Sequence, residues 1–88
     1  VVKWALVFSR HAEKDAKKLA VAGLKKKAET LLAILELDPY QNPPPYEKLK
    51  GDFTGSYSRR INIQHRLVYQ VVKKDRVVKV LRLWSHYE

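Results

Sequence analysis

The sequence predicts a single α+β domain, and three observations carry that prediction. The opening stretch Val1–Phe8 is β-branched and aromatic, broken only by Lys3. Two segments then repeat apolar residues with helical period. The last third, Tyr46–Glu88, runs through strand-like segments separated by turn residues.

Taken in order, Val1–Phe8 is expected to be a strand. Ser9 suits the N-cap of a helix reaching about Ala20, with Ala12, Ala16, Leu19 and Ala20 on its apolar face. Gly23 marks a turn. A second helix is expected over Leu24–Leu37, where Leu24, Ala28, Leu31, Leu32 and Leu35 recur with helical spacing. Lys25, Lys26 and Lys27 sit near its start, against the preference of the helix dipole, and read as a solvated face. Asp38-Pro39 stops the helix, because the residue before a proline disfavours the helical region. Gln41–Pro45 reads as a stiff connector that sets where Tyr46 and Glu47 emerge. Three strands follow, about Tyr57–Ile63, His65–Lys73 and Arg76–Trp84, with Lys74-Asp75 as a compact hairpin turn. The expected order is an N-terminal strand, a helical hairpin, then three antiparallel strands in one sheet. Residues 1–88 form one domain with no internal repeat.

A chain of 88 residues buries roughly 60–65% of its unfolded surface, so its core is small. Eighteen Lys and Arg oppose nine Asp and Glu, giving a formal net charge of +9. That surface attracts polyanions, nucleic acid first among them. Cysteine is absent, which excludes disulfides and thiolate chemistry and suits a reducing cytoplasm. No apolar run approaches the ~20 residues of a membrane span. Methionine is absent too, so translation is expected to begin upstream of Val1.

Strand side chains alternate between faces. Tyr57, Arg59, Ile61 and Ile63 would share one face, and Ser58, Arg60 and Asn62 the other. On the next strand Arg66, Val68 and Gln70 alternate with His65, Leu67, Tyr69 and Val71. Arg82, Trp84 and His86 alternate with Leu81, Leu83, Ser85 and Tyr87 on the last. Arg60, Arg66 and His86 can therefore converge on one face if the register allows. A carboxylate, a guanidinium and an imidazole are what metal-free cleavage of RNA needs: a base for the 2′-OH, a cation for the phosphorane and an acid for the leaving oxygen. Glu47, Arg66 and His86 fit those roles. On composition alone, Glu47 reads better as a loop carboxylate paired with Lys48 or Lys50. His65 reads as structural and His11 as exposed, and three histidines at these spacings do not make a metal site. Tyr69 and Trp84 could stack bases, and Tyr69 reads equally as core.

The ordered set Glu47-x-Leu49-Lys50, Gly55-x-Tyr57-Ser58-Arg59-Arg60-Ile61, His65-Arg66-Leu67-Val68-Tyr69 and His86-Tyr87 resembles the YoeB/Txe group of RelE-type toxins. These are ribosome-dependent mRNA endoribonucleases of bacterial toxin–antitoxin pairs. The resemblance implies a cytoplasmic endoribonuclease that cuts mRNA in the ribosomal A site without metal or cofactor, with a cognate antitoxin as partner. It also implies dimerisation. It assigns Glu47 as base, Arg66 as phosphate clamp, His86 as acid and Tyr87 as a substrate-positioning residue. Lys50, Arg59, Arg60 and Trp84 are the expected RNA contacts. The chain departs from the family pattern at Lys48, where proline is common, at Trp84, where arginine is frequent, and in the extra Glu88. Two rival readings are a ParE-like toxin directed at gyrase and a non-catalytic RNA- or antitoxin-binding module. The first would need neither Glu47 nor His86.

Overall fold

The computed structural model describes residues 3–84, which form seven main elements: β1 (Ala5–Phe8), α1 (Arg10–Val21), α2 (Lys25–Leu37), β2 (Glu47–Lys48), β3 (Ser56–Arg60), β4 (Arg66–Val72) and β5 (Val77–Arg82). The strands make one mixed sheet in the order β1-β5-β4-β3-β2. β1 lies parallel to β5, while β5, β4, β3 and β2 are successively antiparallel. A parallel neighbour needs a crossover, and the helical hairpin between β1 and the later strands supplies it.

Ser9 does the expected capping, and more. Its hydroxyl accepts from the Ala12 N–H at 3.0 Å and donates to the Leu81 carbonyl at 2.8 Å, tying the start of α1 to β5. The buried row of α1 is Ala12, Asp15 and Leu19, while Ala16 and Ala20 are exposed. The expected apolar face is thus rotated, and it takes in a carboxylate whose partner lies on the far end of the chain. Gly23, at φ +77°, turns the chain into α2. Leu24 supplies no side-chain cap there. Ala28, Leu31 and Leu35 face inward, and Asp38 leaves the helix in an extended conformation before Pro39.

Both helices pack on one face of the sheet. Ala12, Leu19, Ala28, Leu31 and Leu35 meet Ile61, Leu67, Tyr69, Val78, Val80 and Leu83 in one core. Between β4 and β5 the register jumps, with Val68 opposite Arg82 but Tyr69 opposite Val80. This bulge shifts the alternation, so Leu83 rather than Arg82 continues the buried row of Val78 and Val80. The β4–β5 connection is a single 3₁₀ turn, Lys73–Asp75, followed by Arg76 in the left-handed region at φ 52°. Arg76 lies over the Trp4 ring at 4.7 Å, and its carbonyl accepts from Ala5 N–H at 3.0 Å, which fixes the β1 edge.

The expected strand at Tyr57–Ile63 ends sooner, at Arg60. Asn62 Oδ1 accepts from the N–H groups of Gln64 and His65, and that turn closes the hairpin. The sheet also holds one strand more than expected, β2. No helix among the described residues is long and apolar enough to cross a membrane.

Candidate active site

The register of β2, β3 and β4 brings the polar residues together. Glu47 lies opposite Ser58, Ser58 opposite Val68, and Arg60 opposite Arg66. Cross-strand partners share a face, so Glu47, Ser58, Arg60 and Arg66 all stand on the side of the sheet away from the helices. They line a cleft of about 300 Å³ together with Pro45. A second cleft of about 510 Å³ is lined by Glu47, Leu49, Lys50, Gly51, Asp52, Phe53 and Arg66. Glu47 and Arg66 belong to both, so their pair is the wall between the two.

That pair is loose. Arg66 Nη1 lies 3.6 Å from Glu47 Oε2, and the side chains are 24% and 67% exposed. A contact of this length in water contributes little to stability and leaves both groups available. Arg60 is exposed in the first cleft and Lys50 at the second. Lys50 is placed by a turn in which Thr54 donates twice to the Gly51 carbonyl, from N at 3.1 Å and from Oγ1 at 2.7 Å. The clefts can hold a phosphate between two or more cations, with a carboxylate beside it.

Arg59 takes the other side of β3. It is 1% exposed. Nε donates to Tyr69 OH at 3.1 Å, Nη1 to the Pro44 carbonyl at 2.6 Å, and Nη2 to the carbonyls of Pro39 at 3.1 Å and Gln41 at 2.8 Å. Its Cζ also lies 4.9 Å from the centre of the Tyr46 ring. The expectation that Arg59 contacts RNA is corrected: its donors are spent inside the protein. The residue instead ties down the connector from which Glu47 emerges.

Tyr69 is fully buried, not a base-stacking surface. Its hydroxyl donates to the Pro39 carbonyl at 3.0 Å. Burial pushes its pKa up to about 12, with the nearby Arg59 partly opposing. Tyr57 meets Tyr40 and Tyr46 edge to face at 5.7 and 5.6 Å, so an aromatic cluster surrounds the Arg59 anchor.

Trp84 borders neither cleft. Its ring stacks on His65 at 3.9 Å, and its carbonyl is bonded to His65 Nδ1. His65 is thus structural, as expected, and holds Trp84. Just before Trp84, the end of β5 is anchored by Asp15. The carboxylate accepts from Arg82 Nε at 2.8 Å and from the Leu83 N–H at 3.0 Å. Burial alone would raise the Asp15 pKa, but the Arg82 and Leu83 hydrogen bonds outweigh it and hold the group below its ordinary value. His86 and Tyr87, expected as acid and positioning group, lie outside the described residues. Among the described residues no group of three or more His, Asp or Glu is placed to hold a metal ion.

The protein is a basic α+β domain with two helices on one face of a five-stranded sheet and a carboxylate–guanidinium cleft on the other. The model of the YoeB-like toxins of bacterial type II toxin–antitoxin systems matches residues 8–87. The chain belongs to that family, and is a toxin of such a system. It is 34% identical over 84 residues to Toxin YoeB of Streptomyces coelicolor, covering 93% of this chain and 98% of the relative. Among solved structures, it superposes on a YoeB/ParE toxin from Agrobacterium tumefaciens with a TM-score of 0.85 at 29% identity, covering 94% of this chain and 99% of the other. The toxin in a YoeB–YefM complex from Staphylococcus aureus gives 0.79 at 36% identity, with 96% and 98% covered.

Proposed function

We propose that this toxin is a metal-independent endoribonuclease that cuts mRNA in the A site of the ribosome. The observation that carries the reading is the loose Glu47–Arg66 pair at the junction of two clefts, flanked by Arg60 and Lys50. Glu47 takes the proton of the 2′-OH as its oxygen attacks the adjacent phosphorus. Arg66 stabilises the charge that grows on the non-bridging oxygens, since a guanidinium binds phosphate in a fork and stays charged. The 5′ oxygen leaves with a proton from His86, in the role the family resemblance assigns, with Tyr87 holding the substrate. The products are a 2′,3′-cyclic or 3′-phosphate and a 5′-hydroxyl. Lys50 and Arg60 bind backbone phosphates. Such contacts position RNA without reading its sequence.

Phosphate contacts hold a backbone without choosing a step along it, which supports dependence on the ribosome to present a single nucleotide step in register. The partner in the cell is an antitoxin with an acidic or amphipathic segment that covers the basic face, as the Staphylococcus aureus relative is found with YefM. Both operate in the cytoplasm. The test is primer extension on mRNA in a translating extract, with the wild type, Glu47→Gln and Arg66→Ala. The wild type should cut, and each variant should lose about 10²–10⁴ in rate with an unchanged circular dichroism spectrum. Wild-type cutting by either variant would place the site elsewhere.

A further inference from the structure

Ser58 lines the first cleft, on the same face of the sheet as Glu47 and Arg66. The residue is 2% exposed, and Oγ has no hydrogen-bond partner among the described residues. A buried hydroxyl without a partner is costly and uncommon in a folded protein. Its surroundings point to one acceptor. Glu47 is directly opposite it across the β2–β3 pair, where Cβ atoms are about 4.5–5.5 Å apart. That distance lets a serine hydroxyl reach a carboxylate by rotation about its own side chain. Glu47 is meanwhile held only at 3.6 Å, by Arg66, which borders the same cleft.

We propose that Ser58 is a positioning residue that takes over Glu47 when substrate arrives. The proposal rests on the reading of Glu47 as base and Arg66 as phosphate clamp. In the free protein the carboxylate and guanidinium face each other. A phosphate entering the cleft is the stronger claimant on Arg66, because it can accept two parallel hydrogen bonds where Glu47 makes one loose contact at 3.6 Å. Glu47 is then released from its cation. The Ser58 hydroxyl donates to one carboxylate oxygen, and the other stays free to receive the 2′-OH proton. The exchange satisfies the buried hydroxyl that the described residues leave without a partner, and it keeps the base aligned at the moment it is needed.

The experiment compares Ser58→Ala, Ser58→Thr and Glu47→Gln in single-turnover and steady-state cleavage of ribosome-bound mRNA, with thermal unfolding of each. A hydrogen bond to a charged group predicts a fall in kcat of about tenfold or more for Ser58→Ala. KM should stay within about twofold, since the phosphate contacts are untouched. Tm should hold or rise, because the substitution removes an unpartnered buried hydroxyl. Ser58→Thr, which keeps the hydroxyl, should recover most of the lost kcat. Wild-type kcat for Ser58→Ala alongside a collapsed Glu47→Gln would overturn the role of Ser58 and leave the base intact. A fall in Tm that accompanies the fall in kcat, or a change confined to KM, would overturn it as well. Wild-type rates in Glu47→Gln would instead remove the catalytic reading beneath it.

Discussion

On one side of β3, Arg59 gives its donors to a tyrosine hydroxyl and three backbone carbonyls and is sealed from water. On the other, Arg60 stands exposed and Arg66 meets Glu47 at 3.6 Å with room on both sides. The same side-chain type thus does two jobs within one strand pair. A guanidinium whose hydrogen bonds are filled by the protein is part of the structure. One whose partner among the described residues is a single exposed carboxylate keeps its capacity for a ligand. Desolvation separates them: Arg59 must be fully partnered to be buried at all, whereas Arg66 remains partly hydrated.

The sharpest test of this contrast is to truncate both. Arg66→Ala should lose about 10²–10⁴ in cleavage while its urea midpoint stays near that of the wild type. Arg59→Ala should instead lose about 3–5 kcal/mol of stability read from denaturant unfolding, with activity falling through the lost folded fraction and through the connector it no longer holds. A stable Arg59→Ala protein that no longer cuts would erase the distinction.

Asp15 gives a smaller test on the helix side. Asp15→Asn keeps the shape but loses the charge facing Arg82, and should cost about 2 kcal/mol. The pH dependence has a definite sign. The Asp15 pKa lies below its ordinary value of 3.8 in the folded chain, so its contribution is present above that value and lost as the pH falls through the lower, folded one. Wild-type stability should therefore decline in acid more steeply than that of Asp15→Asn, as measured by unfolding between neutral pH and about pH 3.

The smallest effect belongs to Lys50. Lys50→Ala should raise KM a few-fold and flatten the dependence of log KM on log salt by roughly 0.7, the slope of one phosphate contact on a single strand. Loss of kcat with the salt slope unchanged would move Lys50 from phosphate binding to chemistry.

Much of this arrangement is legible in the sequence, for reasons that vary by residue. Ala28, Leu31 and Leu35 repeat with helical spacing and are buried accordingly. The two faces of β3 follow from alternation alone. Which face belongs to the core does not, because alternation is symmetric until the register is known. Arg59 therefore reads as an RNA contact beside its neighbour until the fold buries it. β2 leaves no trace, because Glu47-Lys48 is two residues long and neither is a strand former. Asp15 gives no signal either. Its partner is 67 positions away, and a carboxylate among lysines reads as surface. The bulge at Val68/Tyr69 has no mark in the sequence at all.

The Arg59 anchor has a consequence for how this chain can vary. It grips the connector through the carbonyls of Pro39, Gln41 and Pro44, groups that every amino acid carries. The connector thus works as a spacer of set length, gripped by its backbone. Substitutions at Gln41 leave the grip in place, whereas adding or deleting one residue puts the wrong carbonyl under the guanidinium and slides Glu47 out of line with Ser58. Surface loops usually tolerate changes of length better than strands do. Here the order is inverted: the loop's length sets where Glu47 stands opposite Ser58.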